Sequence, residues 1–154
     1  MEIKALKNSS TLASNKKLQK TYSQFDQLLK ELRTKELPEQ VIEIINAGID
    51  QVHQAMENEK VLQKQIKQTQ TIILKLLEKE LKLVTKNHYR NVWLAVGMAA
   101  FGIPMGVAFG LSFGNMAFIG TGMPIGLAIG IAIGTGMDKK AFDEGRQLDM
   151  DIIG

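Results

Sequence analysis

Few side chains in this chain are suited to covalent or metal chemistry. Cysteine is absent, and the only histidines are His53 and His88. There is therefore no thiol nucleophile, no thiolate ligand and no disulfide framework. Asp and Glu in residues 15–91 alternate with Lys and Arg, without metal-type spacing beside a histidine. No Ser-His-Asp set can be assembled in the uncharged part of the chain. The glycine runs lack the lysine and the strand-to-helix setting of a phosphate-binding loop. These patterns predict a protein that is not an enzyme and needs neither cofactor nor metal. No basic block is large enough to make nucleic acid an expected partner.

The residue whose spacing can do physical work is glycine. Gly102, Gly106, Gly110 and Gly114 are four apart, and so are Gly122, Gly126, Gly130 and Gly134. On a helix each set forms a ridge without side chains, which lets a second backbone come close enough for dispersion contacts. Such ridges matter where no hydrophobic force drives helices together. Pro104 and Pro124 hold matching places. The motif Gly102-x-Pro104-x-Gly106-x-Ala108-x-Gly110 recurs twenty residues later as Gly122-x-Pro124-x-Gly126-x-Ala128-x-Gly130. Each proline removes a helical hydrogen bond, so both helices are expected to kink at equivalent points. In a hairpin centred near Gly114, Gly106 falls opposite Gly122 and Gly102 opposite Gly126. The ridges then meet inside one chain, or they face neighbouring chains.

The elements that must carry these glycines are apolar throughout. Residues 92–137 contain no charged side chain, whereas residues 1–91 carry 16 basic and 11 acidic groups. A mean hydropathy of −0.03 therefore averages two unlike parts. A hydrocarbon layer of ~30 Å takes about 20 helical residues to cross. Two spans, about 92–111 and 116–137, joined by a turn at Ser112, Phe113, Gly114 and Asn115, fit that length. Lys79, Lys82, Lys86 and Arg90 precede the spans, and Lys139, Lys140 and Arg146 follow them. The positive-inside bias then puts both termini in the cytoplasm. Tyr89 and Trp93 suit an interfacial belt, with His88 at headgroup level. Residues 1–11 lack the apolar core of a signal peptide, so insertion is expected from residues 92–137 themselves.

The same stretch has a competing signal. Large and small residues alternate over 101–114 and 119–137, which is a strand period. A membrane β-hairpin closed by multimerisation is one alternative. Another is a hairpin stored against protein that inserts later. Helices are preferred because the small face lacks the polar groups of a water-filled barrel. Residues 102–134 resemble, in a general way, membrane proteins with glycine-zipper hairpins. That resemblance implies close helix packing and no particular activity.

Residues 1–14 read as a flexible lead-in and 15–91 as a cytoplasmic helical or coiled-coil region. Leu18, Tyr22, Phe25, Leu29 and Leu32 make one helical stripe, capped by Ser14 or Asn15 and ended by Pro38. Ile42, Ile45, Ile49, Val52 and Met56 begin a second stripe. Its register continues to Val84 through the polar positions Glu59, Gln63, Gln70 and Glu80. One helix over residues 39–90, roughly 75 Å long, is the expectation, with Gly48 as its only bend. A partner must cover its stripe, either the first helix or another copy. The polar cytoplasmic tail, 138–154, begins at Asp138, expected to cap a short helix. Leu148, Met150, Ile152 and Ile153 are expected to pack on the cytoplasmic helices.

The sequence thus predicts an all-α membrane protein, a long cytoplasmic helical hairpin or coiled coil followed by a glycine-ridged two-span hairpin. Its expected partners are the lipid bilayer, copies of itself and a cytoplasmic protein. The function expected first is an oligomeric membrane-anchored scaffold or adaptor. A pore lined by glycine- and alanine-rich helices is the alternative, and a membrane-disrupting factor a further one.

Overall fold

The computed structural model describes residues 2–7 and 15–151. These residues are mostly helical, in five helices: α1 (Lys16–Leu32), α2 (Glu39–Gln54), α3 (Glu59–Leu81), α4 (His88–Ser112) and α5 (Met116–Asp143). Strand among them is confined to the two-residue pieces Val84–Thr85 and Gln147–Leu148. The large–small alternation of residues 101–137 is therefore carried on helices. In apolar surroundings a helix satisfies its backbone groups within one segment, which an open hairpin edge cannot do. The chain divides into two compact units, Met1–Leu83 with Leu148–Gly154, and Val84–Gln147.

The first unit is built by three amphipathic helices. Asn15 starts α1, its side-chain oxygen accepting from the Lys17 N–H (3.0 Å) and the Leu18 N–H (3.3 Å). Ser14, the other candidate cap, lies outside the described residues, as do Ile152 and Ile153. Leu18, Tyr22, Phe25, Leu29 and Leu32 are buried together with Leu28. They share one core with Val41, Ile45, Ile49 and Val52 of α2 and Leu62, Ile66, Ile73 and Leu77 of α3. Leu148 and Met150 complete that core from the far end of the chain.

The expected single helix over residues 39–90 is instead broken twice. Gly48 is not where it bends: α2 runs through Gly48, which lies against the Thr69 methyl group. The chain turns at Ala55, Met56 and Glu57, and Asn58 caps α3 by accepting from the Lys60 N–H (3.1 Å) and Val61 N–H (3.3 Å). An Asn followed by Glu is a helix-start signal, and following the apolar register alone passes over it. The second break follows Leu81, where Lys82 takes the left-handed conformation (φ 57°). Folding back lets α1, α2 and α3 bury their stripes in one chain, where a straight rod would leave them open to water.

The second unit is a hairpin of α4 and α5. Gly114 makes the turn with φ +63°. Its N–H donates to the Leu111 carbonyl (3.3 Å), and the Asn115 N–H donates to the Gly110 carbonyl (3.0 Å). This is the Schellman ending that a residue without a Cβ adopts at least cost. Asn115 then starts the return helix, its side chain accepting from the Ala117 N–H (2.9 Å). The base is tied by the Val84 N–H, which donates to the Arg146 carbonyl (3.0 Å). α4 runs past both expected ends of its span, 92–111, and α5 past the C-terminal end of its span, 116–137; each is long and apolar enough to cross a membrane.

Candidate helix-packing site

The candidate site is the seam between α4 and α5, and backbone forms most of it. A methyl group added at Gly106 would stand 2.2 Å from the Ile119 carbonyl oxygen. One at Gly122 would stand 2.2 Å from the Gly102 oxygen and 2.3 Å from the Gly106 nitrogen. At Gly126 the nearest atoms are the Gly102 nitrogen and the Gly97 oxygen, both 2.6 Å away. At Gly130 the nearest is the Trp93 oxygen (2.2 Å), and at Gly134 the Arg90 Cα (2.4 Å). Real Cβ atoms do not come that close to backbone, so these positions exclude every larger residue unless the helices separate.

The fit is looser at two positions of α4. At Gly102 the nearest atom is the Gly122 oxygen at 3.3 Å, and at Gly110 it is the flexible Ile119 side chain at 3.2 Å. Gly114 is not in the seam at all. It belongs to the turn, with open space where a side chain would go. The four-residue series therefore carries it past the end of the packed helix.

Two seam residues escaped the sequence reading. The first is Gly97, five residues before Gly102 and so out of step with the series. It reaches the seam because residues Met98–Gly102 form one π turn, in which the Ile103 N–H donates to the Met98 carbonyl. The widened turn absorbs the extra residue and returns both glycines to one face. Pro104 comes two residues after the turn, where its missing N–H meets an already altered bonding pattern. Pro124, its repeat partner, sits inside an α-helical stretch without a π turn. The two prolines thus have different local settings. In α5 the spacing of four is unbroken, so no residue has to be absorbed.

The second is Asp138, which continues the series Gly122, Gly126, Gly130, Gly134 by another four. It does not cap a short helix of its own. It is buried, and its carboxylate accepts from the Tyr89 N–H (3.0 Å) and the Arg90 N–H (2.9 Å). Those are first-turn donors of α4, where the helix dipole favours an anion. Asn87, just before α4, is left-handed (φ 58°) and makes no side-chain cap bond. Asp138 supplies from α5 the cap that α4 lacks locally. The spacing of four from Gly134 was the available signal. Ala141, also buried, extends the close face beyond it.

The rest of the hairpin's surface is apolar and outward. Leu111, Phe113 and Met116 are about two-thirds exposed, and Val92, Phe101, Ile103, Met123 and Ile131 are exposed as well. A second row of small residues lies on the exposed side of each helix: Ala100, Pro104, Ala108 and Ser112 on α4, and Gly120, Pro124, Ala128, Ala132 and Gly136 on α5. Just beyond α5, the Arg146 guanidinium bonds the Glu144 carboxylate (Nε to Oε2, 2.7 Å) and holds its carboxyl below the usual carboxylate range.

The two histidines belong to different units. His88 meets the Tyr89 ring edge-on, with centroids 5.1 Å apart, and His53 belongs to the first unit. Among the described residues no group of three His, Asp or Glu is placed to hold a metal ion. Compared with known proteins, the chain matches no protein-family model, no curated protein and no solved structure.

Proposed function

We propose that this chain is an integral-membrane protein whose α4–α5 hairpin crosses the bilayer with both termini on the cytoplasmic side. On this reading its helical unit, residues 15–83, serves as an oligomeric scaffold that binds another protein. The observation that carries the membrane reading is the inversion of the hairpin. Its large apolar side chains face outward without a charge among them from residue 92 to 137, while its interior is glycine backbone. In water that surface would be an apolar patch far beyond what a soluble monomer exposes. In lipid it is the ordinary outer face of a span, and a backbone seam supplies the dispersion contacts that association there requires. The basic residues that flank both spans support the cytoplasmic orientation.

The scaffold reading is supported by a first unit with its own leucine- and isoleucine-rich core, which suits a recognition module. The outer rows of small residues are compatible with close approach between copies. The same rows favour the second reading, a pore between copies. A channel inside one hairpin is disfavoured, because the α4–α5 seam leaves no room even for a methyl group at most positions.

Two measurements test this. Cysteines placed at Lys4 and Asn115 are expected to label from opposite faces of sealed vesicles. Labelling from one face would reject the hairpin topology. Purified protein in planar bilayers is expected to pass no unitary current. Reproducible currents altered by Ala128→Leu would replace the scaffold with the pore.

A further inference from the structure

Residues 2–7 are strapped to the first unit through their main chain. Asn46 of α2, itself buried, accepts from the Lys4 N–H (2.8 Å) and donates to the Glu2 carbonyl (3.0 Å). Arg33, at the end of α1, donates to the carbonyls of Ile3 (3.3 Å) and Lys4 (2.8 Å). The Tyr22 hydroxyl of α1 donates to the Lys7 carbonyl (2.5 Å). Ile3 is buried in the core and Leu6 packs against it. None of these bonds uses an imidazole or a carboxylate.

The last contact is different. The Lys7 N–H donates to His53 Nε2 at 3.2 Å. A backbone N–H can donate only to an imidazole nitrogen that carries a lone pair, so this bond requires the neutral ring. A proton on Nε2 turns the acceptor into a donor that faces another donor. It also adds a positive charge near Lys7 and Lys4 of the strap. Asp50, on the same helix as His53, acts in the opposite sense, but its carboxylate is already bonded to Lys4 Nζ (2.6 Å). Tyr22, the titratable group that α1 brings to this end of the strap, is neutral in acid.

We propose that residues 2–7 form an acid-released strap, in which protonation of His53 breaks its bond to Lys7 and frees the segment from α1 and α2, uncovering the part of the core that Ile3 closes. Partial burial first, and Lys7 second, hold the imidazole below its ordinary value of about 6.5. The folded strap therefore favours the neutral ring. Its contribution is complete above the unfolded value and is lost as pH falls through the lower, folded one.

The chain has no native cysteine and Ala5 is exposed, so Ala5→Cys with a nitroxide label reports strap mobility in the full-length protein in nanodiscs. The mobile fraction is expected to rise about fivefold between about pH 7.5 and about pH 5, with a midpoint below about 6.5. His53→Gln keeps an acceptor at every pH and is expected to stay immobile throughout. Lys7→Pro removes the donor and is expected to be mobile already at neutral pH, with no acid transition. A flat titration of the labelled protein would overturn the proposal. So would an unchanged transition in His53→Gln or, if that variant fails to fold, in Lys7→Pro.

Discussion

The two units of this protein solve the same packing problem with opposite materials. In the first, Phe25, Leu28, Ile45, Ile66 and Leu77 are fully buried, and charged residues cover the outside. In the second, the buried positions of the spans are glycines, and Leu111 and Phe113 are exposed at 67% and 65%. On the membrane reading proposed above, the difference matches the solvent outside each unit. Where water is outside, burying a leucine removes apolar area from it, at about 25 cal/mol per Å². Where lipid is outside, that gain vanishes, and closeness of backbones takes its place. One chain therefore fills the first unit with large side chains and closes the second through glycine backbone.

Substitutions in the two cores should break this contrast from opposite directions. The largest effect is expected for Gly126→Leu. Even its first carbon would lie 2.6 Å from backbone atoms of Gly97 and Gly102, so the seam must part along its length. The loss is expected to reach at least about 3 kcal/mol, above the usual overpacking range because rigid main chain is what must move. Gly136→Leu, built into open space on the same helix, should leave the hairpin unchanged. Unfolding in mild detergent, followed by the distance between labels on α4 and α5, distinguishes the two. Equal behaviour would remove the backbone seam as the organising contact.

The converse substitution is Phe25→Ala, which empties a fully buried site in the first unit. It is expected to cost about 3–5 kcal/mol, measured by denaturant unfolding of that unit. The matching change Leu111→Ala in the hairpin should cost less than about 0.5 kcal/mol in detergent, because lipid-like solvent covers both side chains equally. A cost at Leu111 comparable to that at Phe25 would show that this face packs on protein.

Asp138 tests the polar end of the seam, with an intermediate effect. Asp138→Ala leaves the Tyr89 and Arg90 N–H groups without the carboxylate and removes an anion from the start of α4. The expected loss is about 1–2 kcal/mol. Asp138→Asn, which retains an uncharged acceptor, should recover part of it. Hydrogen exchange at residues 89 and 90 reads the change locally, and exchange rates unaltered in Asp138→Ala would remove the capping role.

The sequence made much of this legible because periodicity reports which face is buried. The stripe from Leu18 to Leu32 and the glycines from Gly122 to Gly134 are both spaced so that one face of a helix repeats, and both faces are buried. Periodicity is blind to breaks that preserve register, and this is why α2 and α3 looked like one helix. Asn58 interrupts the backbone without disturbing the three-and-four spacing of the apolar residues. It is equally blind to a π turn, which shifts register by one residue and hides Gly97 from any count of fours. Asp138 was hidden by its type: a carboxylate beside a charged tail reads as a local cap, and only tertiary structure brings the α4 N-terminus to it.

Among changes at buried positions, the smallest expected effect belongs to the polar interruptions in the first unit. Gln70 stands where the α3 stripe calls for an apolar residue. It is buried, and its amide nitrogen has no hydrogen-bond partner. A buried donor left unpaired costs about 1–3 kcal/mol of desolvation, whereas an apolar group of similar size restores transfer free energy without that penalty. Gln70→Leu is therefore expected to stabilise the first unit by about 1 kcal/mol, seen as a higher denaturant midpoint at unchanged slope. A polar residue at a stripe position can also fix which helices pair, at some cost in stability. If Gln70 has that role, Gln70→Leu should gain stability and at the same time change the oligomer mass. Destabilisation would mean that water or another copy satisfies the amide, and the core of the first unit would then be less self-contained than its leucines suggest.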